Sequence, residues 1–210
     1  MPVVLKPWEI HPSLTLERLL VVGEILWRVR RQVALRIETK KGDTLWGAGC
    51  SSFERTCFAL TQAAAGPHRE WLAVDRKEGH FVVKIGGVPL RFYRAVDEEL
   101  APMRYAEACA SERAALQTAF DLIDTPTPDH VFRLEVITDS LGMPTIVSLA
   151  QIDSARARSN VFEIPIRIAA SATVSRKAPI QLPAAKVSAV AERPQVIPIA
   201  TAAQAKEKSS

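Results

Sequence analysis

Apolar residues recur every three or four positions in three stretches of the chain, which is the spacing of amphipathic helices. The first helix is expected from Ser13, a candidate N-cap, to about Val29. The second is expected from the capping-box pair Ser51 and Glu54, and the third covers residues 97–123. The sequence therefore predicts about three helices.

Residues 71–94 show the alternation of a β-strand rather than the spacing of a helix. A two-residue turn at the GG dipeptide places Val83 opposite Leu90, and a four-residue turn, RKEG, places Val74 opposite Phe81. One face of this three-stranded unit is then entirely apolar, and a slip of one residue would destroy the match. The unit is the clearest strand prediction in the chain.

The opposite face of the same unit carries polar side chains, among them those of His80, Lys84, Arg91 and Tyr93. An antiparallel sheet commonly has one face in the core and the other in water. We therefore expect this second face to be half-solvated.

Further segments also have strand character. Residues 33–37 and the segment TLWG flank the turn KKGD and predict a hairpin, and a second hairpin pairs HVFRLEVIT with MPTIVSLAQI. The strict alternation of VFEIPIRI predicts a last strand. Pro89 and Pro165 lack an amide donor, so their strands are expected at sheet edges or bulges.

These elements predict an α+β fold, in which antiparallel hairpins pack with about three helices in one domain, residues 1–169. Residues 170–210 contain no aromatic residue and no glycine, and we expect them to be a disordered tail. Two apolar islands of this tail, PIQLP and PQVIP, could dock a protein partner as extended peptides. Their candidate contact residues are Ile180, Leu182, Val196, Ile197 and Ile199.

The net charge of +4 comes from the tail. Residues 1–175 contain 21 basic and 21 acidic residues, whereas residues 176–210 contain 6 basic and 2 acidic ones. The folded part therefore lacks the overall basic character of a nucleic-acid-binding domain. A local basic stretch, RVRRQVALRIETKK, and the basic residues near the second sheet face could still contact phosphates. The candidate contacts are Arg28, Arg30, Arg31, Arg36, Lys40, Lys41, Lys84, Arg91 and Arg94.

The sequence assigns no catalytic residue, metal site or cofactor. Glu38-Thr39-Lys40 has the Glu-x-Lys form of a metal-dependent nuclease superfamily, but no preceding strand supplies the second carboxylate that such a site needs. The three cysteines are expected to be reduced, packed thiols. Glu107 and Glu112 are expected on the solvated face of the third helix.

A soluble, cytoplasmic protein is expected, because no apolar run has the length of a signal sequence or of a membrane span. The abundance of Ala, Arg and Pro is typical of GC-rich bacterial genomes. The favoured function is a non-enzymatic module that binds a protein partner through the tail or an exposed strand edge. The alternative is a nucleic-acid-binding protein, extending to nuclease activity through Glu38 and Lys40.

Overall fold

The computed structural model describes residues 5–77, 80–95 and 103–166. The helices are α1 (Pro7–Ile10), α2 (Leu16–Ala34), α3 (Leu45–Ala65), α4 (Met103–Ala106) and α5 (Ala110–Asp121), with a 3-10 turn at Thr39–Lys41. The strands are β1 (Leu72–Lys77), β2 (His80–Ile85), β3 (Val88–Ala95), β4 (Val131–Thr138), β5 (Pro144–Ile152) and β6 (Arg158–Glu163). The predicted α+β fold is confirmed. The predicted tail, with its candidate contacts, lies outside the described residues, and the boundary at residue 169 stays a prediction.

The six strands form one sheet in the order β1-β2-β3-β4-β5-β6. Every neighbouring pair is antiparallel except β3 and β4, which are parallel. Parallel strands need a long crossover connection, and the segment that contains α4 and α5 provides it. The hairpins follow from the sequence pattern, whereas the parallel pairing does not.

The β2–β3 hairpin has the predicted register, with Val83 opposite Leu90. Gly86 and Gly87 form its turn at φ angles of 56° and 93°, which glycine adopts readily and other residues rarely do. The adjoining β1–β2 register differs from the prediction, because Val74 lies opposite Val83 and not opposite Phe81. The shift is two residues, so each side chain keeps its predicted face.

The predicted hairpin around KKGD is wrong, because both of its strands belong to helices or turns. α2 continues to Ala34, and its buried stripe includes Val33, whereas Leu35 is exposed. The alternation of residues 33–37 is therefore too short to distinguish a strand from the end of a helix. The N-cap of α2 is Thr15 rather than Ser13.

The second predicted helix is confirmed, but it begins earlier than expected. The side chain of Thr44 accepts a hydrogen bond from the Gly47 amide and caps α3, so TLWG forms the helix start. Gly66 ends the helix. The third predicted helix is divided into α4 and α5, with Cys109 as the N-cap of α5. Residues 96–102, which this prediction included, lie outside the described residues.

Pro89 lies in an interior strand, so its predicted edge or bulge position is wrong. It lies opposite Lys84, one position beyond the pair that closes the hairpin. The strands make no hydrogen bonds to each other at that position, and the β3–β4 ladder begins only at Leu90 opposite Phe132. An amide donor at Pro89 would therefore have no strand partner. Pro165 lies just beyond the end of β6, which is an edge strand.

The apolar face of the sheet packs against α2 and α3 and forms the main core. Burial of each such side chain contributes about 1.5 to 3 kcal/mol as an upper bound. The fully or almost fully buried members include Leu19, Val22, Leu26, Leu60, Leu90, Leu134 and Leu149.

Candidate functional site: an arginine-lined cavity

The second face of the sheet is buried and charged, so the expectation of a half-solvated face is wrong for its central residues. Arg91 and Tyr93 are each 6% exposed. The β3–β4 register places Arg91 beside Arg133, and Tyr93 beside Glu135. His80 is half-buried, at the margin of this face. The sheet therefore has a second interior on this side, built from charged groups.

Glu112 of α5 lies between two arginines of the sheet. Its carboxylate binds the Arg133 guanidinium, and Arg91 Nη1 lies 3.5 Å from its Oε2. Burial lowers the pKa of Arg133, and the charge of Glu112 opposes that shift. The predicted solvated position of Glu112 is therefore wrong, whereas Glu107 is exposed as expected.

Glu135 of β4 organises the neighbouring part of this face. It accepts hydrogen bonds from the Tyr93 hydroxyl at 2.6 Å, from Arg158 Nη2 at 2.6 Å and from the Ser148 hydroxyl at 3.2 Å. Burial and the hydrogen bond to Glu135 raise the pKa of Tyr93. Tyr93 also stacks on Tyr105 of α4, with ring centroids 4.7 Å apart. The tyrosine is thus held by both its ring and its hydroxyl.

Among the described residues, this face carries two buried carboxylates, those of Glu112 and Glu135, and two buried guanidiniums, those of Arg91 and Arg133. The guanidinium of Arg158, which is half-buried, adds a third positive charge. Of the three arginines, Arg91 has the longest ion-pair distance, and its guanidinium lies 4.9 Å from the centroid of the Tyr105 ring. Arg91 is therefore the least tightly paired of the three arginines.

A cavity of about 690 Å³ lies beside Arg91. The β2–β3 ladder ends at Val83 opposite Leu90, and beyond that pair β3 is hydrogen-bonded only to β4 among the described strands. Side chains of α2 and α3 supply the other walls. Its apolar lining includes Leu26, Phe53, Phe81, Phe92 and Val136, and its arginines are Arg30, Arg91 and Arg94.

Arg30 is the most unusual group in the cavity wall, because it is 6% exposed and only partly satisfied. Its Nε donates to the Gly142 carbonyl oxygen at 3.2 Å. Its Nη2 is buried and has no hydrogen-bond partner in the described part of the chain. Burial lowers the pKa of Arg30, and the charge of Arg94 lowers it further. Arginine nevertheless stays protonated, so Arg30 is a buried positive charge that has no counterion among the residues that the structure describes.

Arg94 adds a second cation at the exposed end of β3. No ion pair of Arg94 occurs within residues 5–77, 80–95 and 103–166. Glu54 is the acidic side chain of the described cavity lining, and its carboxylate lies 3.7 Å from Arg76. The cavity therefore combines apolar walls with an excess of positive charge.

The mouth of the cavity carries exposed groups of α3. Trp46, Cys50 and Phe53 are spaced by four and three residues, so they lie on one side of the helix. Trp46 is 80% exposed. The Phe53 ring lies 5.4 Å from the ring of Phe92 inside the cavity. An aromatic surface is thus continuous with the arginine-lined interior.

The structure divides the nine predicted nucleic-acid contacts into separate places. Arg30, Arg91 and Arg94 line the cavity. Lys41 pairs with Glu38 at 2.7 Å, and Lys84 pairs with Asp75 at 3.6 Å. The remaining four lie outside the cavity lining, with Arg31 above the Trp27 ring and the other three exposed: Arg28, Arg36 and Lys40.

Cys57 and the Glu-x-Lys segment lie outside the cavity lining, whereas Cys50 is part of it. Cys57 is buried, and burial raises its pKa to about 12, which makes the thiol unreactive. Cys50 is exposed, so the prediction of a packed thiol is wrong there. Glu38 and Lys40 flank a 3-10 turn and not a strand end. Within the described residues, no group of three acidic, His or Cys side chains could hold a metal ion.

Comparison of the chain with protein-family models, with curated proteins and with solved structures found no match. In the part of the chain that the structure describes, no helix has both the length and the apolar character that crossing a bilayer requires. Function must therefore be argued from the cavity itself.

Proposed function

We propose that this protein is a non-enzymatic interaction module, which binds an acidic segment of a partner protein at the arginine-lined cavity. The observation that carries the proposal is Arg30, a buried guanidinium that lines the same cavity as Arg94. Its Nη2 has no hydrogen-bond partner in the described part of the chain. Two like charges repel each other, and an anion between them would be attracted to both. A carboxylate would also supply the missing hydrogen-bond acceptor.

The mouth of the cavity supports a protein partner. An exposed tryptophan that adjoins a partly buried phenylalanine and arginines has the composition of a binding hot spot. Trp46 and Phe53 provide the apolar contact, and Arg94 provides the charge at the rim. A partner segment with aromatic or aliphatic residues next to acidic ones would complement both.

The lining favours recognition over proton transfer. Arginine stays charged at all physiological pH values, so it binds anions without exchanging protons. Tyr93 of the cavity wall is buried, and its hydroxyl donates to Glu135, so this group is engaged within the fold. The arrangement suits a fixed electrostatic complement to a bound group.

A nucleic acid is the less suitable partner. Nucleic-acid affinity comes largely from many exposed basic groups that follow the phosphate backbone. Here Arg30 and Arg91 are buried in an apolar cavity, and Lys41 and Lys84 are already paired with acids. The docking role of the basic tail is a separate hypothesis.

The test uses three fluorescein-labelled probes of equal length in anisotropy titrations with the full chain. They are a peptide of alternating acidic and apolar residues, the same peptide with lysine in place of each acid, and a single-stranded oligonucleotide. We expect the acidic peptide alone to bind, with an affinity that falls as salt rises. Arg94→Glu and Trp46→Ala should each weaken binding about tenfold or more, while Arg28→Glu, a change of an exposed arginine on α2, should not.

Two outcomes would overturn the proposal. One is tighter binding of the oligonucleotide than of the acidic peptide, which would favour the nucleic-acid alternative. The other concerns the chain's own acids, since Asp97, Glu98 and Glu99 follow β3 in the sequence. If the peptide binds only when these three residues are changed to Asn, Gln and Gln, the arginines of the cavity bind acidic side chains of the protein itself and not those of a partner.

A further inference from the structure

We infer that the group held by Arg30 and Arg94 is the free C-terminal carboxylate of the partner, and that the partner's last side chain is apolar and occupies the cavity. This inference rests on the proposed function and names the ligand of the same site.

The available donors match a carboxylate. Arg30 Nε is used by the Gly142 carbonyl, which leaves the buried Nη2 as its unsatisfied donor. Arg94 has no ion pair among the described residues. Two guanidiniums can satisfy the two oxygens of a carboxylate by charge-assisted hydrogen bonds.

A phosphate group would require more charged donors than the guanidiniums of Arg30 and Arg94 supply. A phosphate monoester carries nearly two negative charges and three strong acceptor oxygens. Two further polar groups of the lining, Arg91 and Tyr93, already face Glu112 and Glu135. The rest of the described lining combines aromatic and aliphatic side chains with Ser52, Thr56 and the acidic Glu54, so it offers no further guanidinium for the third oxygen.

A chain terminus suits this cavity better than an internal acidic residue. An internal Asp or Glu brings peptide groups on both of its sides towards the apolar wall, and each unpaired N–H or C=O has a cost. A C-terminal residue supplies the anion and the apolar side chain together, and its chain leaves in one direction. The cavity volume of about 690 Å³ exceeds that of one side chain, so it has room for one or two terminal residues.

The test compares two peptides that differ only at the C-terminus. Both are acidic and end in phenylalanine, one with a free carboxylate and one with an amide. Binding to the full ¹⁵N-labelled chain is followed at the arginine Nε–Hε signals, and the Arg30 signal is assigned by its loss in Arg30→Met. Inorganic phosphate serves as the third probe.

We expect the free-acid peptide to bind about tenfold or more tightly than the amide and to shift the Arg30 signal. Arg94→Met, a change of an exposed side chain, should remove this preference, whereas Arg28→Met should preserve it. Equal affinity of the free-acid and amide peptides would overturn the inference. The proposed function would then remain, with the acidic side chains of the peptide as the bound groups. The inference would also be overturned if inorganic phosphate displaced the bound peptide at a concentration lower than the free-acid peptide needs for binding. If neither peptide binds, the proposed function fails as well.

Discussion

Arg133 of β4 and Glu112 of α5 form an ion pair in which neither side chain is exposed to solvent. Arg133 also donates to the carbonyl oxygens of Tyr105, Phe132 and Glu107, so it ties the sheet to α4 and to the start of α5. The pair fixes the helices that cover the second face, next to the cavity.

Glu112→Gln should destabilise the fold strongly, because it leaves Arg133 and Arg91 buried without a counterion. Breaking a buried ion pair by removing one partner costs about 3 to 5 kcal/mol. Urea unfolding measures the loss, and Glu107→Gln is the matched control at an exposed position of the same segment. A loss below about 1 kcal/mol for Glu112→Gln would show that the pair is not a structural link.

Tyr93→Phe should lower the free energy of unfolding by about 1 to 3 kcal/mol, since the hydroxyl donates to the buried, charged Glu135 at 2.6 Å. Ser148→Ala removes the longer 3.2 Å hydrogen bond to the same carboxylate and should cost less. Urea unfolding of the two variants gives the comparison. The reverse order of losses would contradict the role given to Tyr93.

Stability should fall in alkaline solution partly through Cys57. Burial raises its pKa from 9.0 to about 12, so the folded chain keeps the proton that the unfolded chain loses. The contribution is complete below about pH 9 and declines by roughly 1 kcal/mol per pH unit as the pH rises towards 12. Cys57→Ala should therefore unfold with a shallower pH dependence than the parent chain between about pH 8 and about pH 10. Parallel pH curves for the two proteins would exclude this contribution.

The hairpins could be predicted from the sequence because their determinants are local. The glycine pair fixes the β2–β3 register, and the alternation of Val83 and Ile85 with Val82 and Lys84 fixes the faces. The KKGD hairpin could not be judged in this way, since Val33 suits both a strand and the last turn of α2. Long-range packing of α2 on the sheet decides that case.

The candidate site was only partly visible in the sequence. The alternation places Arg91 and Tyr93 on one face, but their burial depends on the parallel pairing with β4. A signal existed in FRLEV, where Arg133 and Glu135 alternate within an otherwise apolar strand, and opposite charges at alternate positions suggest a buried polar face. Arg30 gave no such signal, because its contact with Gly142 joins residues 112 positions apart.

Replacement of Arg30 tests the central claim. Loss of a binding residue lowers the peptide affinity and leaves the stability unchanged or higher, whereas loss of a structural residue lowers the stability. A buried charge without a counterion lowers stability, and an apolar side chain of similar length removes that cost. Arg30→Met sacrifices the hydrogen bond to Gly142, worth about 1 kcal/mol, but relieves the repulsion from Arg94. Arg28→Met, at an exposed position of the same helix, is the control.

The decisive measurement is the pair of urea-unfolding and acidic-peptide titration curves for Arg30→Met. The account predicts a free energy of unfolding that is unchanged or higher by up to about 2 kcal/mol, together with a loss of peptide affinity of about tenfold or more. A loss of more than about 2 kcal/mol in stability with unchanged peptide binding would contradict it, and would make Arg30 a structural residue.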